Sequence, residues 1–137
     1  MSLQLQVQVP LLQVFDMPAS LAFYVDFLGF EIAMDSGVRD TPEGRFAHWV
    51  LLRCGEGQLM LNTAYDEGER PLTRDAARWG GHGDVCVYFG CADVDAAYAL
   101  LAAKDPALTA PARTPHGTRQ IMLHDPDGYG VCLQARA

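Results

Sequence analysis

A pattern that occurs twice in the sequence restricts the fold more than any other feature. Residues 10–31, PLLQVFDMPASLAFYVDFLGFE, predict a strand, a tight corner, a helix that ends at a glycine, and a second strand. Residues 84–105, DVCVYFGCADVDAAYALLAAKD, predict the same order more loosely. Because a repeated supersecondary unit indicates an internal duplication, we expect two similar halves.

The two predicted helices carry matching start signals. Asp16 and Asp93 are the expected N-caps, and Pro18 fits the first helical turn. Hydrophobic residues recur at helical spacing after each cap, and Gly29 is expected to end the first helix in the left-handed conformation that glycine tolerates. Each helix therefore has one buried face.

The remaining strands are predicted from alternation and turn residues. Residues 3–9, LQLQVQV, alternate strictly between apolar residues and glutamine, which is typical of a half-buried strand, and Pro10 indicates a bulge before the strand resumes at residues 11–15. Residues 35–44 are expected to form a loop. The other predicted strands are 30–34, 46–53, 58–62, 85–89, 108–110, 119–124 and 130–134.

These elements predict an α+β fold of two βαβββ modules that form a cupped, mixed, eight-stranded sheet with helices on the outer face. The first module is expected to span residues 1–62 and the second residues 84–137. Residues 63–83 are rich in glycine, proline and charge, so they are expected to form a linker or lid, with a helical turn near residues 74–78.

Composition excludes several classes of protein. The net charge is −7 with only ten basic residues, which argues against nucleic acid as a partner. No apolar run approaches the roughly 20 residues of a membrane span, and no leader segment is evident, so we expect a cytoplasmic protein without a membrane partner. None of the four cysteines forms a CxxC pair, so they are interpreted as reduced, mostly buried side chains.

Two motifs in this order resemble the vicinal-oxygen-chelate superfamily, which includes glyoxalase I, extradiol dioxygenases and bleomycin-resistance proteins. The first motif consists of Asp16, Ser20, Phe23, Tyr24, Leu28, Gly29 and Phe30, and the second is the turn Asp125–Gly128. The resemblance covers nearly the whole chain and implies the duplicated βαβββ fold. It does not imply one chemistry, since a single fold supports many functions.

Metal-dependent members of this superfamily carry histidine or glutamate on the first and last strand of each module. The matching positions here are Val9, Met60 (or Leu61), Cys86 and Cys132. Valine cannot coordinate a metal, and two cysteines are too few for the usual zinc site. The resemblance therefore points to the metal-free branch, similar to bleomycin-resistance proteins, with no metal and no cofactor.

We expect a small-molecule ligand in the sheet cup, because the predicted lining is apolar and aromatic with a few amides. The candidate binding residues are Gln13, His48, Trp49, Tyr88, Gln120, Met122 and Cys132. His48 and Trp49 are neighbours in a strand, so only one of them faces the cup. The alternative function is a lyase, isomerase or dioxygenase with displaced active-site residues. A homodimer is expected, with the modules either exchanged between chains or not.

Overall fold

The computed structural model describes all residues 1–137 and has the expected α+β class. Helix α1 spans Met17–Leu21 and continues as a π-helix over Ala22–Phe27, α2 spans Ala76–Trp79, and α3 spans Val94–Lys104. The strands are β1 (Leu11–Val14), β2 (Glu31–Asp35), β3 (Arg39–Thr41), β4 (Gly44–Phe46), β5 (Trp49–Cys54), β6 (Gly57–Thr63), β7 (Cys86–Gly90), β8 (Ala112–Arg113), β9 (Thr118–His124) and β10 (Gly130–Arg136).

Two four-stranded sheets of mixed direction form the framework. The order in sheet 1 is β1-β6-β5-β2, and the order in sheet 2 is β7-β10-β9-β8. In each sheet the first strand runs parallel to the last strand of its module, and the other neighbours are antiparallel. The repeated order confirms the duplicated βαβββ plan. The eight strands are, however, divided between two sheets, because no strand ladder joins β1 to β7.

Both helices begin at the predicted caps. An Asp16 carboxylate oxygen accepts a hydrogen bond from the Ala19 amide at 3.2 Å, and Asp93 accepts one from the Ala96 amide at 2.9 Å. Each bond satisfies an amide that would otherwise lack a partner at the start of the helix. The first helix ends at Gly29, whose φ of +88° lies in the left-handed region.

A single hydrophobic core lies where the helices cover the sheets. Alternate residues of the strands point into it, such as Leu12 on β1 and Val131 on β10, and Leu21 of α1 and Leu101 of α3 pack against them. Leu21 and Val131 are fully buried. The core includes both modules, so the duplicated halves share one interior.

Buried polar contacts join the modules at the Asp125–Gly128 turn. The Tyr24 hydroxyl donates to Asp125 Oδ2 at 2.7 Å, and the Phe15 amide donates to Asp127 Oδ1 at 3.1 Å. Burial is the main cause that raises the pKa of both carboxyl groups. The turn motif therefore fixes the first module against the second in addition to closing a hairpin.

The strand predicted for residues 3–9 is wrong. These residues belong to no sheet, and Leu3, Leu5 and Val7 are 74–85% exposed. The predicted bulge at Pro10 is absent as well, because pairing starts only at Leu11. Apolar residues and glutamine do alternate here, but no strand edge of the same chain lies beside these residues.

Other boundaries differ from the prediction in smaller ways. The loop predicted for residues 35–44 contains β3, which pairs with β4 in a small separate sheet. This hairpin divides the strand predicted for 46–53, so β5 begins only at Trp49. The short strand expected at 108–110 lies at Ala112–Arg113. In the linker, a short helix does form, at Ala76–Trp79.

Candidate functional site

Each sheet has one face that no helix covers. On sheet 1 this surface, here called open face 1, consists of Leu11, Gln13, Met34, Trp49, Leu51, Met60 and Asn62. On sheet 2, open face 2 consists of Cys86, Tyr88, Gln120, Met122, Cys132 and Gln134. Four of these residues are large hydrophobic side chains that are 42–59% exposed: Leu11, Met34, Tyr88 and Met122. The central residues of both faces are uncharged, and the charged side chains lie at the ends: Glu31 and Arg53 on open face 1 and Arg136 on open face 2.

Open face 2 brings together four of the predicted binding residues. Tyr88, Cys132 and Met122 are direct neighbours across β7, β10 and β9. The Cys132 thiol, which is fully buried, donates to Gln120 Oε1 at 3.5 Å. Cys86 completes the cluster, with its sulfur 3.9 Å from that of Met122. The result is an aromatic and sulfur-rich surface with one amide beside it.

The two thiols and the phenol of this cluster have raised pKa values. Burial raises the pKa of the Cys86 thiol, and burial together with the nearby Cys86 raises that of Cys132. The two thiols raise the pKa of the Tyr88 phenol. At neutral pH all three groups are therefore protonated and uncharged. Since a cysteine nucleophile must be a thiolate, this face suits neutral contacts with a ligand better than nucleophilic attack.

A groove of about 1430 Å³ runs between the two modules. The edges of β1 and β7 flank it, and the β5–β6 turn and the end of α3 close it. Most of the lining is hydrophobic, and Leu11, Cys86 and Tyr88 belong to both the groove and an open face. Tyr88 is the one predicted binding residue that lines the groove.

Open face 1 brings Gln13 and Trp49 into one cross-strand row through Asn62. The linker supplies a further residue, because Arg78 donates to Gln13 Oε1 at 2.6 Å. The Arg78 guanidinium also lies 5.1 Å from the Trp79 ring and 5.8 Å from the Tyr65 ring. It therefore places a cation next to the polar end of this face, held by an amide and two aromatic rings.

Only Trp49 belongs to sheet 1, because His48 lies in the bend just before β5. Trp49 shares the side of Leu51 on open face 1, as strand alternation requires. The His48 ring instead stacks edge-on against Phe46 and lies 3.1 Å from an Asp66 carboxylate oxygen. Of the two candidates, the structure thus places Trp49 on the open face and leaves His48 beside the linker.

The four positions that match the chelating residues do not fit a metal of the usual kind. Val9 precedes β1 and has no donor atom, and Met60 offers only a thioether. Cys86 and Cys132 lie on one sheet, and burial favours their protonated form. No three side chains among histidine, cysteine, aspartate and glutamate are grouped to hold an ion. This donor set does not suit iron, manganese or magnesium.

Sequence reasoning missed several residues of these surfaces. Met34, Leu51 and Asn62 follow from strand alternation once the register of sheet 1 is known. Arg78 had no such signal, because it reaches Gln13 from a linker 65 positions away. The groove was also missed, since it depends on how the two modules pack.

The fold and these surfaces define a duplicated βαβββ protein with two sheet faces, each uncharged at its centre, beside an apolar groove. The sequence profile of the Glyoxalase/Bleomycin resistance protein/Dioxygenase superfamily matches residues 6–133. The chain therefore belongs to this superfamily. No helix has both the length and the apolar character that a membrane crossing requires.

Solved structures share the fold over 94–100% of this chain. The bleomycin-binding protein from bleomycin-producing Streptomyces verticillus, complexed with copper(II)-bleomycin, is 22% identical with a TM-score of 0.68, over 99% of this chain and 100% of that one. TnmS3, an antibiotic binding protein from Streptomyces sp. CB03234, is 25% identical with a TM-score of 0.64, over 100% and 99%. Lactoylglutathione lyase from Agrobacterium tumefaciens is 23% identical with a TM-score of 0.62, over 94% and 92%. No curated protein sequence matches the chain.

Proposed function

We propose that the protein binds a small molecule without a metal and sequesters it against its open sheet faces. The observation that carries this proposal is the uncharged, aromatic and sulfur-rich cluster of Tyr88, Met122, Cys132 and Gln120, which adjoins the groove at Tyr88. Apolar walls with few polar groups are typical of small-molecule sites. On face 1, Gln13 and Trp49 supply the same combination.

The ligand we propose is an antibiotic-like natural product with an extended apolar or aromatic part. The similarity of this chain to TnmS3, an antibiotic binding protein that is 25% identical over the full chain, supports this class of ligand. The net charge of −7 favours the approach of a cationic compound. Arg78 gives face 1 one local cation, which suits a carboxylate or phenolate on the same ligand.

Catalysis in the same fold is the competing function. A lyase or isomerase needs a base or a bound metal in reach of its substrate. The protonated thiols and phenol of open face 2, and the position of His48 outside the strands of the open faces, give less support to that chemistry than to binding. Conversion of a bound compound into a product would favour this enzymatic function over binding alone.

We further propose that the protein is a cytoplasmic homodimer. Four free cysteines suit a reducing compartment. Leu11, Met34, Tyr88 and Met122 are exposed on the two faces, and exposed apolar patches are typical of interaction sites. Exchange of whole modules between chains and an unexchanged dimer are both compatible with the linker.

A thermal-shift screen tests the binding proposal. The screen uses cationic glycopeptides, aromatic antibiotics and glutathione adducts, and calorimetry then gives the affinity of each compound that raises the melting temperature. Tyr88→Ala is expected to weaken binding at least about tenfold, because a contact ring of this size contributes on the order of 1–3 kcal/mol. Leu72→Ala, fully exposed in the linker, is the control and is expected to bind normally. Equal affinities of the two variants would place the ligand elsewhere.

A further inference from the structure

Three arginines are regularly spaced in the segment 63–83, and the last of them has no carboxylate partner. Arg70 and Arg74 each lie within salt-bridge distance of a carboxylate, at 2.7 Å and 3.5 Å. The side chain of Arg78 instead donates its one hydrogen bond to the neutral amide of Gln13, at 2.6 Å. Most of the N–H donors of this guanidinium therefore have no partner in the protein.

Arg78 is held in place by the aromatic rings around it. Its guanidinium lies 5.1 Å from the Trp79 ring and 5.8 Å from the Tyr65 ring. Trp79, the last residue of α2, is 6% exposed and packs edge-on against Phe15 at 5.7 Å between ring centres. Because the guanidinium is positioned before any ligand arrives, less conformational entropy is lost when it binds one.

The second module fixes both sides of the contact between Arg78 and Gln13. The His82 ring stacks on Tyr129 at 4.0 Å, and its Nδ1 lies 2.9 Å from the Asp127 carbonyl oxygen, so the chain just after Arg78 is anchored. The Tyr129 hydroxyl donates to the Gln13 carbonyl at 3.2 Å. The cation and the amide beside it therefore belong to one fixed arrangement at the end of open face 1.

A row of three side chains leads from this cation across open face 1. Gln13, Asn62 and Trp49 are directly paired on β1, β6 and β5, so their side chains project to the same side of the sheet. Neighbouring strands are about 4.8 Å apart, which places Trp49 roughly 10 Å from Gln13. The row thus has a guanidinium at one end, an indole at the other and two amides between them.

We propose that Arg78 selects the ligand by binding a carboxylate whose aromatic ring system lies against Trp49. This inference rests on the binding function proposed above and names the class of ligand, an extended aromatic carboxylic acid. The planar guanidinium matches the two oxygens of a carboxylate, and their hydrogen bonds are assisted by charge. Only one N–H contacts Gln13, so the carboxylate binds without displacing that amide.

The rest of the protein does not attract such a ligand. The net charge of −7 repels an anion at a distance. A preference for a carboxylate over an uncharged analogue must therefore come from short-range contact with Arg78. Removal of one positive charge elsewhere on the surface is expected to leave that preference in place.

A pair of probes with one ring system tests the contact. Calorimetry at pH 7 measures the affinities of anthracene carboxylate and of the uncharged anthracene carboxamide. We expect the unmodified protein to bind the carboxylate at least about tenfold more tightly, as charge-assisted hydrogen bonds to a positioned guanidinium predict. Arg78→Gln is expected to reduce this ratio to about one, and Arg78→Lys to give an intermediate ratio, because an ammonium is a point charge without the planar fork.

Two further variants separate charge and ring contacts. Arg113→Gln removes the same charge from an exposed arginine of β8 in the other module, and it is expected to keep the ratio of the unmodified protein. Trp49→Ala is expected to weaken both probes by a similar factor of about tenfold, since it removes the ring contact that they share. Melting followed by circular dichroism checks that each variant is folded. Arg78→Lys, which retains the charge, decides the result if Arg78→Gln melts early.

Equal binding of the two probes to the unmodified protein would overturn the inference. A ratio that the Arg78 variants leave unchanged, or that Arg113→Gln reduces as much, would do the same. Unchanged affinities in Trp49→Ala would overturn the placement of the ring. If neither probe binds but the thermal-shift screen yields another ligand, this inference fails and the proposed function stands. If no compound of either kind binds, the proposed function itself is overturned.

Discussion

Of the contacts between the two modules, the hydrogen bond between Tyr24 and Asp125 is the one whose loss should lower stability most clearly. The hydroxyl and Oδ2 are 2.7 Å apart, and Tyr24 is 0% and Asp125 5% exposed. In Tyr24→Phe, Oδ2 loses its donor, while Oδ1 keeps the bonds from the Asp127 and Tyr129 amides. Hydrogen bonds to charged groups contribute about 1.5–3 kcal/mol, so we expect the free energy of unfolding to fall by about 2 kcal/mol and the melting temperature by roughly 5–10 °C.

Urea unfolding followed by circular dichroism measures this loss, and Tyr98→Phe is the matched control. The Tyr98 hydroxyl reaches the Leu108 carbonyl only at 3.4 Å and within its own module, so its removal is expected to cost less than about 0.5 kcal/mol. The Tyr24→Phe loss should be larger at pH 7 than below pH 4, because the phenol stabilises the ionised form of Asp125. Equal losses in the two variants would refute the importance of this contact.

Three further predictions concern caps, pH and metals. Asp93→Ala, which removes a helix cap, should cost about 1 kcal/mol in urea unfolding, whereas Asp95→Ala, which breaks an exposed ion pair with Arg119, should cost less than about 0.5 kcal/mol. Burial and, to a lesser degree, the nearby Asp125 raise the pKa of Asp127, while Arg74 opposes this shift. The folded state therefore holds this proton more tightly than the unfolded chain does, and stability falls as pH rises through that pKa. Asp127→Asn should reduce the fall between pH 4 and pH 7 in a melting series. Dialysis against a chelator should leave the melting temperature unchanged, and a drop of several degrees would indicate a structural metal.

Local signals in the sequence were sufficient for the fold. The caps at Asp16 and Asp93 and the stop at Gly29 act within a few residues of themselves, so the two long helices were predicted nearly to the residue. The hairpin of β3 and β4 was missed, because residues 35–44 are polar and carry no alternation. Residues 3–9 were misassigned for the opposite reason: their alternation is perfect, but pairing depends on a strand edge that their own chain does not offer.

The site was predictable only where strand alternation determines it. Tyr88, Met122 and Cys132 were placed together because each lies at a position of matching parity in a predicted strand, and the register of β7, β10 and β9 aligns them. Their use in binding stays a prediction. Contacts between distant segments had no local signal, and the Arg78 bond to Gln13 and the groove between the modules are of this kind.

The fate of a bound compound tests the central claim most directly. A compound that the thermal-shift screen selects is incubated with protein in excess over many hours, and mass spectrometry then measures the released compound. We expect it to be recovered at its original mass, with the same dissociation constant before and after treatment with a chelator. A product that accumulates beyond one equivalent per chain, or affinity that is lost with the chelator and restored by a metal, would contradict metal-free sequestration.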